Sequence, residues 1–379
     1  MTSPAQLREF VAFPLGLHDR ERYVPQLSSV IRSWWRGTSA HPEPVSLVLV
    51  RDDSGAVVAR STVHTDRRFD ERVGATNLLF GATEFASPEA AAALFGHLED
   101  LARSRGVQQL LGPVSLLPNQ AGGVITSGFD ERGFVDSAWN PSSVPTAYEA
   151  AGFERWNESD TWVVDIDPTA VTRVPTAAEW ADAGVRLELG ARKRINALIP
   201  ELLTLLNAAF SPLPYYTQIT PSEMAAATDG LAYLLDENLL LLARDGSGDA
   251  VAFVLVIPDI TLFLQKTGGT MGPLQQLRLL ATRGKYRTDA ILVIQGTRPD
   301  KQGNGILTLL SRQLQANLAA GGYARLRSTY VGRDNAASAR QFSRFGGTVL
   351  HGYTFYRRAV AAAPGLITRT DDRLPEDTP

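Results

Sequence analysis

The chain has 379 residues, with 37 Lys plus Arg against 40 Asp plus Glu for a net charge of -3, and it contains no cysteine. That length suits two domains or one large one, and the charge exerts no overall pull toward nucleic acid or an anionic membrane. The missing cysteine excludes disulfides, thiolate zinc sites and cysteine nucleophiles. The N-terminus has neither a basic n-region nor an apolar h-region, and no apolar run approaches the ~20 residues of a bilayer span, so the expectation is a cytoplasmic protein with no membrane partner. Arginine is plentiful while lysine occurs only at Lys193, Lys266, Lys285 and Lys301, a usage that reads as bacterial.

In chain order, the first strong signal is a hairpin. An apolar strand at 46–50 meets Arg51-Asp-Asp-Ser-Gly-Ala-Val-Val-Ala, an Asp/Ser/Gly turn running into a second strand. A strand is expected at 77–82, and Ser87-Pro88-Glu89 makes a good helix start. After a strand near 106–110 comes Gly112-Pro-Val-Ser-Leu-Leu-Pro-Asn119-Gln-Ala-Gly-Gly123. It belongs to a polar, glycine-rich insertion at 116–140 that reads either as the lining of a cleft or as a long connection. A Pro/Ala-rich joint at 167–182 precedes an amphipathic helix at 195–210, with Ile195, Leu198, Leu202, Leu205 and Leu206 on one side. Pro221 opens another helix. The hairpin then returns, a strand at 239–243 leading into Arg244-Asp-Gly-Ser-Gly-Asp-Ala-Val-Ala, nearly a copy of the earlier segment. Gly152-Phe153 followed by Trp162 is likewise matched by Gly346-Gly347 followed by Tyr356. Similarity at this spacing argues for duplicated domains and against a short-period solenoid. The copies are placed at 1–166 and 183–360, with the joint at 167–182 and a frayed tail at 361–379. The expected class is mixed α/β, an α+β arrangement on a hairpin-rich sheet.

The most informative stretch begins at Ala290. A β-branched strand ends in a Pro-Asp turn, Gln302-Gly303-Asn304-Gly305 follows, and Ile306, Leu309, Leu310 and Leu314 then recur at helical spacing. The first amides of such a helix have no intrahelical acceptor and carry the positive end of its dipole, which suits phosphate oxygens.

This order of elements, with Asn335 opening a further helix, resembles the GNAT superfamily of N-acyltransferases, most fully over 186–358 and more weakly over 8–166. The family's phosphate loop is written Arg/Gln-x-x-Gly-x-Gly/Ala. Gln302 and Gly305 match it, whereas Leu307 stands at its last small position. The resemblance implies two tandem GNAT-like domains, the first a degenerate copy, and an acyl-coenzyme A co-substrate, acetyl-coenzyme A being the first expectation. Its pyrophosphate would rest on the amides of Gly303, Asn304, Gly305 and Ile306. Strand 291–297 would diverge from 325–331 at a bulge, and main-chain groups near Gln295, Gly296 and Thr297 would bind the pantetheine arm and polarise the thioester carbonyl. Many members carry a tyrosine seven residues after the Asn335 position to protonate the leaving thiolate. Phe342 stands there and cannot donate, which leaves Tyr330, Tyr353, Tyr356 or solvent. Base candidates are Glu223 and Asp259, although an early-helix Glu is favoured by the helix dipole anyway and Asp is common in turns. In the first copy Pro88 lacks an amide, so Ser87-Pro88-Glu89 makes a poor pyrophosphate cradle.

The function implied is an N-acyltransferase moving an acyl group from acyl-coenzyme A to the amine of a small molecule, amino acid or secondary metabolite lodged between the halves. A second reading is a tandem-GNAT aminoacyl transferase using charged tRNA, to which Arg278, Arg283, Lys285 and Arg287 would contribute; a third is a non-catalytic binding module. The histidines His18, His41, His64, His97 and His351 are scattered with no i,i+4 pair, so no metal is expected. Neither a Gly-x-Ser-x-Gly elbow nor a Walker sequence is present.

Overall fold

The computed structural model describes residues 1–360 apart from 138, 170–172 and 287. The expected tail, part of the expected joint, and Arg287 lie outside the described residues. The first half runs α1 (Pro4–Leu17), α2 (Ser28–Arg36), β1 (Ser46–Arg51), β2 (Val57–His64), α3 (Arg67–Val73), β3 (Asn77–Phe85), α4 (Pro88–Ser104), β4 (Gln109–Gly112), β5 (Val124–Ser127), α5 (Ser143–Ala150) and β6 (Glu154–Asp165). The second runs α6 (Ala177–Asp182), β7 (Val185–Leu189), α7 (Ile195–Phe210), α8 (Pro221–Ala227), α9 (Leu231–Leu234), β8 (Leu240–Asp245) and β9 (Ala250–Pro258). It continues through α10 (Thr261–Thr267), α11 (Pro273–Thr282), β10 (Asp289–Thr297), α12 (Ile306–Ala320), β11 (Arg325–Gly332), α13 (Ala336–Arg344) and β12 (Thr348–Ala359).

The repeated hairpin is repeated down to its hydrogen bonds. Asp52 Oδ1 accepts from the amides of Ser54 and Ala56 and from Ser54 Oγ. Asp245 Oδ1 accepts from the amides of Ser247 and Asp249 and from Ser247 Oγ. Arg51 donates to the Gly55 carbonyl at 2.8 Å and Arg244 to that of Gly248 at 2.9 Å. An aspartate that satisfies the turn amides with its own side chain explains why this segment punctuates both halves.

Among the described residues, the strands form one sheet in the order β1-β2-β3-β4-β12-β6-β11-β10-β9-β8-β7, with β5 added against β12. The order is nearly symmetric about its centre, and the closing strands are exchanged. β6, from the first half, pairs with β11 of the second, while β12, from the second, pairs with β4 of the first. β6 and β12 pair with each other along most of their length and join the halves. Tyr356 is therefore buried in the core made by α4, α5 and the first-half strands, and Val164 and Ile166 belong to the core beneath α12 and α13. α7 covers the opposite face of the second half. Closing a sheet this way removes two edges that would otherwise need protection.

The glycine-rich insertion crosses to the second half. Asn119 donates to the Thr217 carbonyl, Arg132 reaches Asp259 and Asp289, and the Val135 amide donates to Thr261 Oγ1. Its β5 segment pairs with β12.

Candidate functional site

β10 and β11 run parallel for only four residue pairs, Asp289–Arg325 to Leu292–Ser328, and then part. Both partners become irregular at this level, β10 slipping register against β9 between Leu292 and Ile294, and β11 against β6 between Ser328 and Val331. The Val293 carbonyl is taken by Thr329 Oγ1 at 2.8 Å. The parting thus starts before Gln295. Gln295, Gly296 and Thr297 still pair with Val254, Phe253 and Ala252 on β9. Gly296 has a packing reason of its own: a Cβ there would lie 3.1 Å from Ala209 and 3.2 Å from Phe253, so its absence lets α7 settle on the sheet.

Beyond Thr297 the chain turns through Pro299–Lys301 into the loop that starts α12. Gln302 Nε2 donates to the Thr297 carbonyl at 3.1 Å and braces the loop on the strand end. Gly303 and Gly305 have φ of +83° and +77°, a region where side chains are strained, and a Cβ built on either meets nothing within 4 Å. The loop therefore opens onto free space. Thr308 and Leu309 donate to the Gly305 carbonyl. The amides of Gly303, Asn304, Gly305, Ile306 and Leu307 donate to no protein acceptor among the described residues. Arg298 is turned aside by Asp300 and Asp245 and does not fill the turn. Five successive free amides at the positive end of a four-turn helix are an arrangement that could hold an anion, a candidate cradle.

α13 lies alongside. Asn335 Oδ1 caps it by accepting from the Ser338 amide, and Gln341 Nε2 donates to Ser311 Oγ of α12. Phe342 is buried and stacks on Trp162 of the exchanged strand β6, ring centres 5.9 Å apart. A narrow apolar crevice between the two helices is lined by Val164, Leu292, Leu314, Leu326, Phe342 and Phe345. Among the buried polar atoms without a partner are Trp162 Nε1 and Gln295 Oε1. In the sequence Trp162 stands out only as the counterpart of Tyr356 in the repeat. That a first-half strand would carry it under α13 could not be seen from spacing.

The expected acid and base residues are dispersed. Glu223 is buried at the start of α8, where Arg68 of the first half grips both its oxygens at 2.8 and 2.9 Å. Burial raises its pKa, but the bonds from Arg68 and Thr220 outweigh that and hold it below the usual carboxylate value. Asp259 is buried with Arg132 at 2.9 Å and Arg327 at 3.2 Å, and it caps the Thr261 amide. Arg327 also binds Asp289 at 2.6 Å. Burial raises the Asp289 pKa, and Arg327 and Arg325 more than reverse it. Beside this network lies His351, whose pKa is lowered to about 4 by burial, with the Arg327 charge adding to the effect. Tyr356 donates to Glu149 in the first-half core, far along β12 from the cradle. Tyr330 stands two residues past the last β10–β11 pair, its hydroxyl donating to the carbonyls of Gly122 (2.6 Å) and Asp136 (3.1 Å).

Asp136 was not singled out in the sequence. It is an exposed residue, and the neighbouring protein atoms that displace part of its carboxyl's hydration raise its pKa. Its backbone sits at φ +63°, unusual for a residue with a Cβ. A hydrophilic insertion containing an ordinary-looking aspartate carries no sequence signal for this position.

The first half keeps the plan and lacks the opening. β3 and β4 part after Leu79–Leu111, but the Val114 amide bonds the Phe80 carbonyl and Val114 O presses so close to Gly81 that no Cβ would fit. At the head of α4, Ser87 takes the Ala90 amide with its hydroxyl and the Ala91 amide with its carbonyl. The cradle is spent there.

No protein-family model matches the chain. It is 24% identical to Protein YghO of Escherichia coli (strain K12) over 371 residues, covering 93% of each chain. It is 22% identical to the bacterial ceramide synthase of Caulobacter vibrioides (strain NA1000 / CB15N) over 377 residues, 94% of this chain and 96% of that one. Among solved structures, a tandem GNAT protein from the clavulanic acid biosynthesis pathway superposes with a TM-score of 0.57 at 14% identity, over 95% of both chains.

Proposed function

With the tandem GNAT fold of this chain as the premise, we propose that it is an N-acyltransferase whose second half holds acyl-coenzyme A by its diphosphate. The observation that carries this reading is the row of unpartnered amides from Gly303 to Leu307, opening onto free space beside strands that part at Leu292 and Ser328. The diphosphate would lie on the amides, and the pantetheine arm would run between α12 and α13 toward the parted strands. The uncapped main chain there would then polarise the thioester carbonyl.

Acyl transfer also needs the ammonium deprotonated and the leaving thiolate protonated. Glu223 and Asp259 are each committed to arginines, which leaves Asp136 as the carboxylate best suited to accept the amine proton. Tyr330, hydrogen-bonded to the same residue's carbonyl, carries a phenol hydroxyl just past the parting and is the candidate proton donor. The acceptor would enter between the halves. The name of the ceramide synthase relative points toward a long-chain amine, since a ceramide is the amide of such a base with a fatty acid.

Isothermal titration with acetyl-, octanoyl- and palmitoyl-coenzyme A tests the donor, and thiol release with an amine panel tests the transfer. A chain without cysteine gives the thiol reagent no background. Saturable binding of one of these donors and amine-dependent thiol release are expected. Failure of all three to bind removes the coenzyme reading, and retention of charged tRNA in the same protein would replace it.

A further inference from the structure

We propose that His41, Glu43 and Asp66 form a binding site for a divalent transition-metal ion, zinc by the nature of the donors. His41 and Glu43 lie on the segment entering β1, and Asp66 is the N-cap of α3. Each offers one ligand atom, and the three atoms lie within 4.8 Å of one another. Tetrahedral zinc with bonds of ~2.0–2.1 Å sets its ligand atoms roughly 3.3 Å apart, so a modest swing of the half-exposed Glu43 side chain closes the set.

The second observation is the state of the polar atoms. The His41 side chain is fully buried, with Nε2 3.3 Å from the Thr65 carbonyl and Nδ1 without a partner. That nitrogen lies 3.7 Å from Asp66 Oδ2, too far for a hydrogen bond and close enough for two lone pairs to repel unless a positive ion stands between them. Glu43 spends Oε1 on the Arg67 amide, and its Oε2 is buried with no partner, 3.6 Å from His41 Nε2 on the other side of the ring, so the Glu43 side chain must swing to share an ion with Nδ1. His64, edge-on to His41 with ring centres 5.1 Å apart, leaves its own Nδ1 unpartnered too. Two partnerless buried atoms on the three candidate ligands, with a third on the neighbouring His64, call for an occupant.

Charge points the same way. Asp66 is bound by Arg68 at 2.7 Å, but that guanidinium is shared with Glu223, so Glu43, Asp66 and Glu223 outnumber it by two. Arg68 would act as the outer-shell group that fixes the Asp66 carboxylate. Through Arg68 the ion would also tie the entrance of β1 to α8 of the second half.

The competing account is an imidazolium held between two carboxylates with no metal. Full-length protein, stripped with chelator and dialysed, is titrated with zinc chloride and separately with cobalt(II) chloride, and its metal content is measured after purification from zinc-supplemented cells. The expected result is close to one equivalent of metal, visible d–d absorption of the cobalt form in the tetrahedral range, and affinity weakened at least about tenfold in Glu43→Gln and His41→Gln. Glu43→Gln keeps the acceptor for the Arg67 amide, so it stays informative should His41→Gln fail to fold. Substoichiometric metal, or equal zinc affinity in wild type and Glu43→Gln, would overturn the site in favour of the imidazolium.

Discussion

Gly305→Glu is the perturbation that bears most directly on the coenzyme reading. Gly305 sits at φ +77° as the N-cap of α12, with nothing within 4 Å of an added Cβ, so no neighbour is displaced at that atom and the cost to folding is that of the left-handed backbone. A left-handed non-glycine residue costs about 1–2 kcal/mol, which should lower the melting temperature by a few degrees and leave the fold intact. The new carboxylate would stand at the mouth of the amide row. At about 4 Å from a phosphate charge and an effective dielectric of ~20, repulsion is on the order of 4 kcal/mol. The loop is exposed, so that figure needs discounting. A floor of about 1.4 kcal/mol still means a tenfold rise in Kd for any acyl-coenzyme A. Gly305→Asn serves as the control, since asparagine visits the left-handed region most readily among side chains and brings no charge. Titration calorimetry of both variants at low and moderate salt reads the difference. Unchanged affinity in the Gly305→Glu protein would refute the placement of the diphosphate, and equal losses in both variants would assign the effect to backbone geometry and remove the charge argument.

Asp136→Asn should lower kcat about 10²-fold or more while leaving acyl-coenzyme A affinity unchanged, measured by thiol release and calorimetry; an unaltered kcat excludes it as the proton acceptor. Tyr330→Phe should lower kcat, whereas Tyr356→Phe, whose hydroxyl meets Glu149 in the first-half core, should cost about 1 kcal/mol of stability and leave kcat alone. Asp259→Asn strips one carboxylate from a buried cluster with Arg132 and Arg327, and urea unfolding should show a loss of about 3–5 kcal/mol. His351 has a folded pKa of about 4 against 6.5, so between those values the unfolded chain binds the extra proton. Stability therefore falls as pH drops from 6.5 toward 4, by about 3 kcal/mol from this group, and denaturation of His351→Gln across that range should be flatter.

What could be read from the sequence was what the chain decides locally. The Asp52 and Asp245 turns are written in the residues that make their hydrogen bonds, and so are the caps at Ser87 and Asn335. The glycine loop was legible because a left-handed residue before a helix has few alternatives to glycine. Partnerships across the chain were not legible. Glu223 and Asp259 look like available bases until Arg68 and Arg132, 155 and 127 residues away, are brought onto them. Gly296 reads as a bulge, whereas the register slips between Leu292 and Ile294 and the glycine serves α7.

The exchange of closing strands is the feature that periodicity could least reveal, because a strand's own residues do not state which distant strand it will lie beside. It gives a physical reason for retaining a first half whose own opening is filled by Val114. That half supplies β6, and with it Trp162 against Phe342 and Val164 on the wall of the crevice beside the cradle. The second half returns Tyr356 to the first-half core. On the acyltransferase proposal, a first half without a cradle would still be needed for the sheet that borders the second half's, and its insertion carries Gly122 and Asp136 to Tyr330. Under the acyltransferase proposal, duplication made one half the holder of the coenzyme and the other the source of its floor and of the acceptor-side loop.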